Sequence, residues 1–134
     1  MLNIKPEAVC YIIIKAREFD AKVEPDDPDS GSNPSDDKEI DVLEDLPVDP
    51  TLEELRGAID QLNEDEGLDL VALTWIGRGD FTQAQLRDAR AQARAIPRTD
   101  RSRYLIGTPM LGDYLEEGLA ALGYSCEAYE MERL

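Results

Sequence analysis

The sequence predicts an all-α protein: a compact bundle of about six helices in a single domain spanning residues 1–134. Several segments carry apolar residues at three- and four-residue steps, between a helix-start signal and a closing glycine or proline. No segment alternates apolar and polar residues as a half-buried strand does, and no unit of roughly 20–50 residues repeats. The length of 134 residues and the hydrophobic fraction of 42% suit one domain with an ordinary core.

The first helix is predicted over residues 6–21. Pro6 and Glu7 suit its first turn, because proline has no N–H to leave unbonded and an acid meets the positive end of the helix dipole. Its apolar face is formed by Val9, Ile12, Ile13, Ala16 and Phe19. After a long loop, capping-box signals at Thr51 and Asn63 predict two further helix starts. The helix after Asn63 is apolar nearly all round, which predicts a central, mostly buried helix.

The second half of the chain adds shorter helices. A helix that starts at Asp80 or Thr82 is predicted up to a proline stop, and a short helical piece follows at roughly 98–106. Thr108, which precedes a proline, predicts the start of the last main helix, which ends at a glycine. Two glycines inside that helix predict close contact with a neighbouring helix, and they are Gly112 and Gly118.

Composition limits the chemistry of the protein. The 30 acidic and 14 basic residues give a net charge of −16, which repels phosphate backbones, so DNA is not expected as a partner. The chain has no histidine and only two cysteines, too few ligands for a structural zinc site. No cofactor is expected, and without the usual general base a non-catalytic protein is favoured over an enzyme.

The cysteines and the N-terminus indicate a compartment. A disulfide between Cys10 and Cys126 is possible, but buried free thiols in a reducing compartment are the favoured interpretation. The N-terminal apolar run from Ala8 to Ile14 is too short for a signal sequence or a membrane span. The sequence therefore predicts a cytoplasmic protein that has no membrane partner.

The loop at 23–50 is the first candidate binding surface. It holds eleven acidic residues and five prolines against one lysine, and we expect a loose acidic tip at 24–38 and a tethered return at 39–49. An EF-hand register centred on its glycine fails, because proline and serine fall where acids are needed. We interpret the tip as a solvated surface that a partner can bind; a divalent-metal site, in a binding protein or a metal-dependent enzyme, is the alternative. The candidate residues are Asp26, Asp27, Asp29, Asp36 and Asp37.

Residues 78–103 carry the opposite charge. They hold seven arginines against three aspartates, a local net charge of +4. The candidate binding residues here are Arg87, Arg90, Arg94, Arg98 and Arg101. The first three share a helix face because they are spaced three and four apart. Three interpretations stay open: an ordinary solvated face, a surface that binds the protein's own acidic loop, or a site for an external anion or RNA phosphate.

Three long strings of the sequence carry a family resemblance, and they are AVCYIIIKAREFDAKVEPDDPDSGSNPSDD, LNEDEGLDLVALTWIGRGDF and RYLIGTPMLGDYLEEGLAALGYSCE. They resemble a family of small acidic bacterial proteins known only as domain of unknown function 3775. The resemblance covers nearly the whole chain and implies a bacterial, cytoplasmic setting. It brings no activity, cofactor or site residue. The residues themselves favour a non-catalytic protein-binding or adaptor module that uses the acidic loop and the arginines, and a homodimer is possible.

Overall fold

The computed structural model describes residues 2–23 and 50–127, and all regular structure in these two ranges is helical, which confirms the all-α prediction. The six α-helices there are α1 (Pro6–Val23), α2 (Pro50–Asp60), α3 (Glu64–Arg78), α4 (Leu86–Ala93), α5 (Arg101–Ile106) and α6 (Leu111–Ala121). Short 3-10 turns precede α4 and α5, at Gln83–Gln85 and Arg98–Asp100. The acidic tip predicted at 24–38 and its return at 39–49 lie outside the described residues. None of the described helices is both long and apolar enough to cross a bilayer.

Helix α3 is the centre of the fold. It begins with the predicted capping box: the Asn63 side chain accepts a hydrogen bond from the Glu66 N–H (2.8 Å), and the Glu66 carboxylate accepts one from the Asn63 N–H (2.9 Å). Its central turns are buried on every side, as the continuous apolar sequence predicts. The helix stops at Gly79, whose φ of 97° is the left-handed conformation that ends many helices.

Glycines allow α3 and α6 to pack at backbone distance. A Cβ atom at Gly77 would overlap the carbonyl group of Tyr114, and one at Gly118 would overlap that of Leu73. Gly112 makes a similar close approach to α1. The predicted reason for Gly112 and Gly118 inside a helix is therefore confirmed, and the lost helix propensity is offset by the close helix pair.

Helix α1 is attached to the rest of the bundle by apolar packing and by ion pairs at its edges. The Arg17 guanidinium contacts Asp113 (2.8 Å) and Glu116 (2.7 Å) on α6. On the other side, the Lys15 ammonium lies 2.7 Å from the Glu54 carboxylate on α2. These side chains are partly exposed, so the pairs orient α1 more than they stabilise it.

The two cysteines form a disulfide, so the favoured interpretation of free thiols is wrong. Cys10 lies on the core face of α1, and Cys126 lies in the segment after α6. Their Cα atoms are 5.6 Å apart, within the range that disulfides span, and both residues are buried. The sequence left this disulfide only possible, because the two cysteines are 116 residues apart and no local signal shows that the fold brings them together.

Two helix starts differ from the sequence prediction. Helix α2 begins one residue before Thr51, which therefore lies in the first turn and does not cap it. Helix α6 begins three residues after Thr108, because the Thr108 hydroxyl donates to the carbonyl oxygen of Tyr104 (2.9 Å) and so closes α5. The residue before α6, Met110, has a φ of 62°, and this left-handed turn redirects the chain into the helix.

Candidate functional site

Arg101, predicted as a binding residue, lies inside the protein. Its guanidinium donates to both carboxylate oxygens of Glu64, at 3.0 and 3.1 Å, and to the carbonyl oxygen of Ile96 at 3.2 Å. Only 4% of Arg101 is exposed. The hydrogen bonds from Arg101 outweigh the effect of burial and hold the pKa of Glu64 below its ordinary value, with smaller contributions from the charges of Arg94 and Arg98. Arg101 therefore ties α5 to the start of α3.

Arg90 also points into the fold. Its guanidinium pairs with Asp69, a fully buried carboxylate on α3. Asp69 accepts hydrogen bonds from the backbone N–H groups of Asn3 and Ile4 as well (3.1 Å for Ile4), so one carboxylate joins α3, α4 and the residues before α1. A buried carboxylate needs such partners, because burial without them costs several kcal/mol.

The remaining candidate arginines are exposed, and we call Arg87, Arg94 and Arg98 the arginine surface. Arg87 and Arg94 are seven residues apart and so share one helical face. In the part of the chain that the structure describes, neither forms a salt bridge. Arg98 donates to the carbonyl oxygen of Leu62 (2.8 Å) from an otherwise exposed position. The five-residue pattern in the sequence thus divides into two internal arginines and three surface arginines.

The acidic candidates cannot be placed beside the arginine surface. All of them lie outside the described residues, and they are Asp26, Asp27, Asp29, Asp36 and Asp37. Contact between this loop and the arginines therefore stays a prediction. Within residues 2–23 and 50–127, no group of three or more acidic or cysteine side chains is arranged to hold a metal ion.

An open cleft of about 320 Å³ lies beside the C-terminal half of α3. We call it the aromatic cleft, and its lining residues are Trp75, Arg78, Asp80, Phe81, Gln92 and Tyr104. The Trp75 and Phe81 rings stack with centroids 5.8 Å apart, and the Trp75 indole N–H donates to the Tyr104 hydroxyl (2.9 Å). Stacking and this hydrogen bond fix the three rings relative to one another.

Two lining residues of the aromatic cleft, Arg78 and Asp80, form a salt bridge. Both Nε and Nη2 of Arg78 contact one carboxylate oxygen of Asp80, at 2.7 and 2.6 Å. Burial opposes the charge of Arg78, but hydrogen bonds to Asp80 and to the Tyr104 hydroxyl outweigh it and raise the pKa of Arg78. The Asp80 N–H meanwhile donates to the carbonyl oxygen of Trp75 (2.9 Å), which fixes the turn after α3.

The aromatic cleft was not predicted from the sequence. Trp75 and Tyr104 lie at positions typical of core residues, and the structure leaves both half-buried at the cleft wall. In the sequence, the tripeptide of Arg78, Gly79 and Asp80 indicates only a helix stop, a turn and a helix start. One signal was present: two large aromatic residues flank that helix stop within seven positions.

Comparison with known proteins identifies a family for the chain but assigns it no activity. No curated protein and no solved structure matches the chain. One family sequence model matches residues 52–124, somewhat over half of the chain and less than the resemblance implied. The match spans α2 to α6, including the arginine surface and the aromatic cleft, and leaves out α1 and both cysteines. The chain belongs to the family described as Protein of unknown function (DUF3775).

Proposed function

We propose that this protein is a non-catalytic protein-binding module, an adaptor, and that its arginine surface contacts the partner. The observation that carries the proposal is charge segregation: residues 78–103 have a net charge of +4 in a chain of net −16. Within this segment, Arg87 and Arg94 form an exposed pair on one helical face. Arginine is enriched at protein interfaces, because its planar guanidinium pairs well with carboxylates.

The internal arginines support such a role indirectly. Arg90 fixes α4 to α3 through Asp69, and Arg101 fixes α5 to α3 through Glu64. The exposed arginines therefore project from elements that are already held in place. A surface that is ordered before binding loses less conformational entropy in the complex, which favours affinity.

The charge pattern also describes the partner. An acidic patch on the partner suits the arginine surface, because opposite potentials at an interface favour the correct pairing. The excess of acidic residues elsewhere favours a partner whose overall charge is positive. In this proposal the acidic tip at 24–38 is a second contact, supported by its composition alone.

We further propose that the protein works in the bacterial cytoplasm, the setting that the family resemblance implies. The disulfide between Cys10 and Cys126 argues the other way, since most cytoplasmic thiols are kept reduced. Alkylation of free thiols under denaturing conditions, after rapid acid quenching of cells, tests the location, because both cysteines are buried in the folded protein. Labelling of both cysteines would support the cytoplasm, and a fully unlabelled protein would contradict it.

Charge reversal tests the protein-binding function. We would capture partners from a bacterial lysate at two salt concentrations with the wild type, the Arg87→Glu/Arg94→Glu double variant and Arg56→Glu. Arg56 is an exposed arginine on α2, so its reversal controls for added negative charge. We expect proteins that the wild type and Arg56→Glu retain and the double variant loses, with weaker retention at high salt. The same protein set with all three baits would overturn the proposal, and capture of RNA alone would replace it with phosphate binding.

A further inference from the structure

The aromatic cleft is a built feature that the arginine surface does not explain. Tryptophan, tyrosine and arginine are the residue types that most often dominate the binding energy of protein interfaces. The cleft places one of each side by side, and they are Trp75, Tyr104 and Arg78. Its composition is therefore that of an interface centre.

The rings of the cleft are fixed without a ligand. The hydrogen bond between Trp75 and Tyr104, and the stacking of Trp75 on Phe81, hold the walls in place. Because few side chains need to be ordered on binding, a group that enters the cleft gains most of the energy of its burial.

The size of the cleft indicates a single side chain. Small-molecule pockets range from roughly 300 to 1,000 Å³ and enclose most of their ligand, and this cleft of about 320 Å³ is open and lies at the bottom of that range. One aromatic side chain buries roughly 150–250 Å², so a single ring is enough to cover the walls of a small open cleft. A larger cofactor would remain mostly in solvent.

The rim of the cleft favours an acceptor next to that side chain. A guanidinium has five N–H donors. Asp80 accepts from Nε and Nη2 of Arg78 and the Tyr104 hydroxyl accepts a further hydrogen bond, so two N–H donors of Arg78 are left for a ligand. The Tyr104 hydroxyl accepts from Trp75 and keeps its own proton to donate. Carboxylate oxygens and peptide carbonyls are the groups that accept from such donors.

We propose that the aromatic cleft binds a phenylalanine or tyrosine side chain within an acidic segment of the partner protein. The ring packs against Trp75 and Tyr104, and a neighbouring carboxylate accepts from Arg78. This inference rests on the proposed protein-binding function and names the residue type at the centre of that interface. Charge complementarity supports the acidic segment, because the cleft presents the Arg78 guanidinium with N–H donors that Asp80 does not use.

Trp75 is the one tryptophan of the chain, so its fluorescence reports on the cleft directly. The probes are three acetylated, amidated pentapeptides, each labelled for anisotropy: phenylalanine between pairs of glutamates, alanine between the same glutamates, and phenylalanine between pairs of lysines. Measurements near 150 mM salt screen long-range repulsion by the acidic chain. We expect the acidic phenylalanine peptide to change Trp75 emission and to bind at least about tenfold more tightly than either of the other two.

Matched variants separate the cleft from the arginine surface. Gln92 is exposed on α4, so Gln92→Phe covers the cleft without entering the core, and Gln61→Phe adds the same ring at an exposed position after α2. Thermal melts confirm that both variants fold. We expect Gln92→Phe to lose at least about tenfold in affinity for the acidic phenylalanine peptide, and Gln61→Phe to keep wild-type affinity.

The possible failures are distinguishable. Equal affinity of the two acidic peptides, or no effect of Gln92→Phe, would overturn the cleft as an anchor and leave charge-driven partner binding intact. Equal affinity of the acidic and lysine-flanked phenylalanine peptides would overturn the acidic segment and leave an aromatic anchor. Unchanged Trp75 emission and no binding of any peptide at millimolar concentration would overturn the inference altogether.

Discussion

Arg94 and Arg101 belong to the same arginine-rich segment, yet the structure gives them opposite environments. Arg101 is buried, and its guanidinium is matched by the Glu64 carboxylate and a backbone carbonyl. Arg94 is exposed and forms no salt bridge to the residues that the structure describes. A guanidinium is removed from water only where its donors find acceptors, and Glu64 on α3 accepts from Arg101 but forms no salt bridge with Arg94. The number of arginines in the sequence is therefore larger than the number that a partner can contact.

The same contrast holds on α4, between Arg87 and Arg90. Arg90 reaches the buried Asp69, whereas Arg87, nearly one turn earlier, faces solvent. Internal arginines contribute to the free energy of unfolding, and surface arginines are available for binding. The two groups should separate cleanly when stability and binding are measured on the same variants.

The largest effect on the free energy of unfolding is expected for substitution of Asp69. Asp69→Ala removes the carboxylate that accepts hydrogen bonds from Arg90 and from the N–H groups of Asn3 and Ile4. We expect the free energy of unfolding to fall by about 3–5 kcal/mol, because two backbone N–H groups lose their acceptor and Arg90 loses its buried counter-ion. Urea denaturation measures this. Asp88→Ala, at an exposed aspartate of α4, is the control and should change stability by less than about 0.5 kcal/mol. A loss below about 1 kcal/mol for Asp69→Ala would contradict the interior role of this pair.

A smaller decrease in the free energy of unfolding is expected for Arg101→Ala. Its partner Glu64 is 45% exposed and can be solvated again, so we expect about 2–3 kcal/mol from lost hydrogen bonds and packing. Arg101→Lys keeps the charge but cannot form both contacts with Glu64, and an intermediate loss is expected. If Arg101→Lys matched the wild type in urea denaturation, charge alone would explain the site and the paired geometry would not matter.

The pair formed by Glu64 and Arg101 also predicts a pH dependence. The pKa of Glu64 is lower in the folded protein than in the unfolded chain, so the folded state binds fewer protons between the two values. Its contribution to stability is complete above the ordinary pKa of 4.5 and is lost as the pH falls through the folded value. The difference in free energy of unfolding between wild type and Glu64→Gln should therefore shrink as the pH falls below the ordinary pKa of 4.5. In an Arg101→Ala background that pH dependence should be much weaker, and its persistence would refute the assigned cause.

The helices could be predicted from sequence because their signals are local. The capping box at Asn63, the glycine stop at Gly79 and the apolar faces all lie within a few residues of the structure they determine. The candidate functional surfaces depend on contacts between distant positions. Asp69 meets Asn3 across 66 residues, and Trp75 meets Tyr104 across 29. One sequence carries no signal for such pairs, so the division of the arginines and the aromatic cleft required the structure.

The smallest effect on stability is expected at the arginine surface. Arg87→Ala/Arg94→Ala removes two exposed side chains that form no salt bridge in the described ranges, so stability should change by less than about 0.5 kcal/mol. The change that remains should be a slight destabilisation, because the net charge becomes more negative, and added salt should reduce it by screening. Urea denaturation at two salt concentrations checks both points, with Arg56→Ala as the control on α2. A loss above about 1 kcal/mol that salt did not reduce would mean that Arg87 and Arg94 stabilise the fold as Arg90 and Arg101 do, and the basis for a binding surface would disappear.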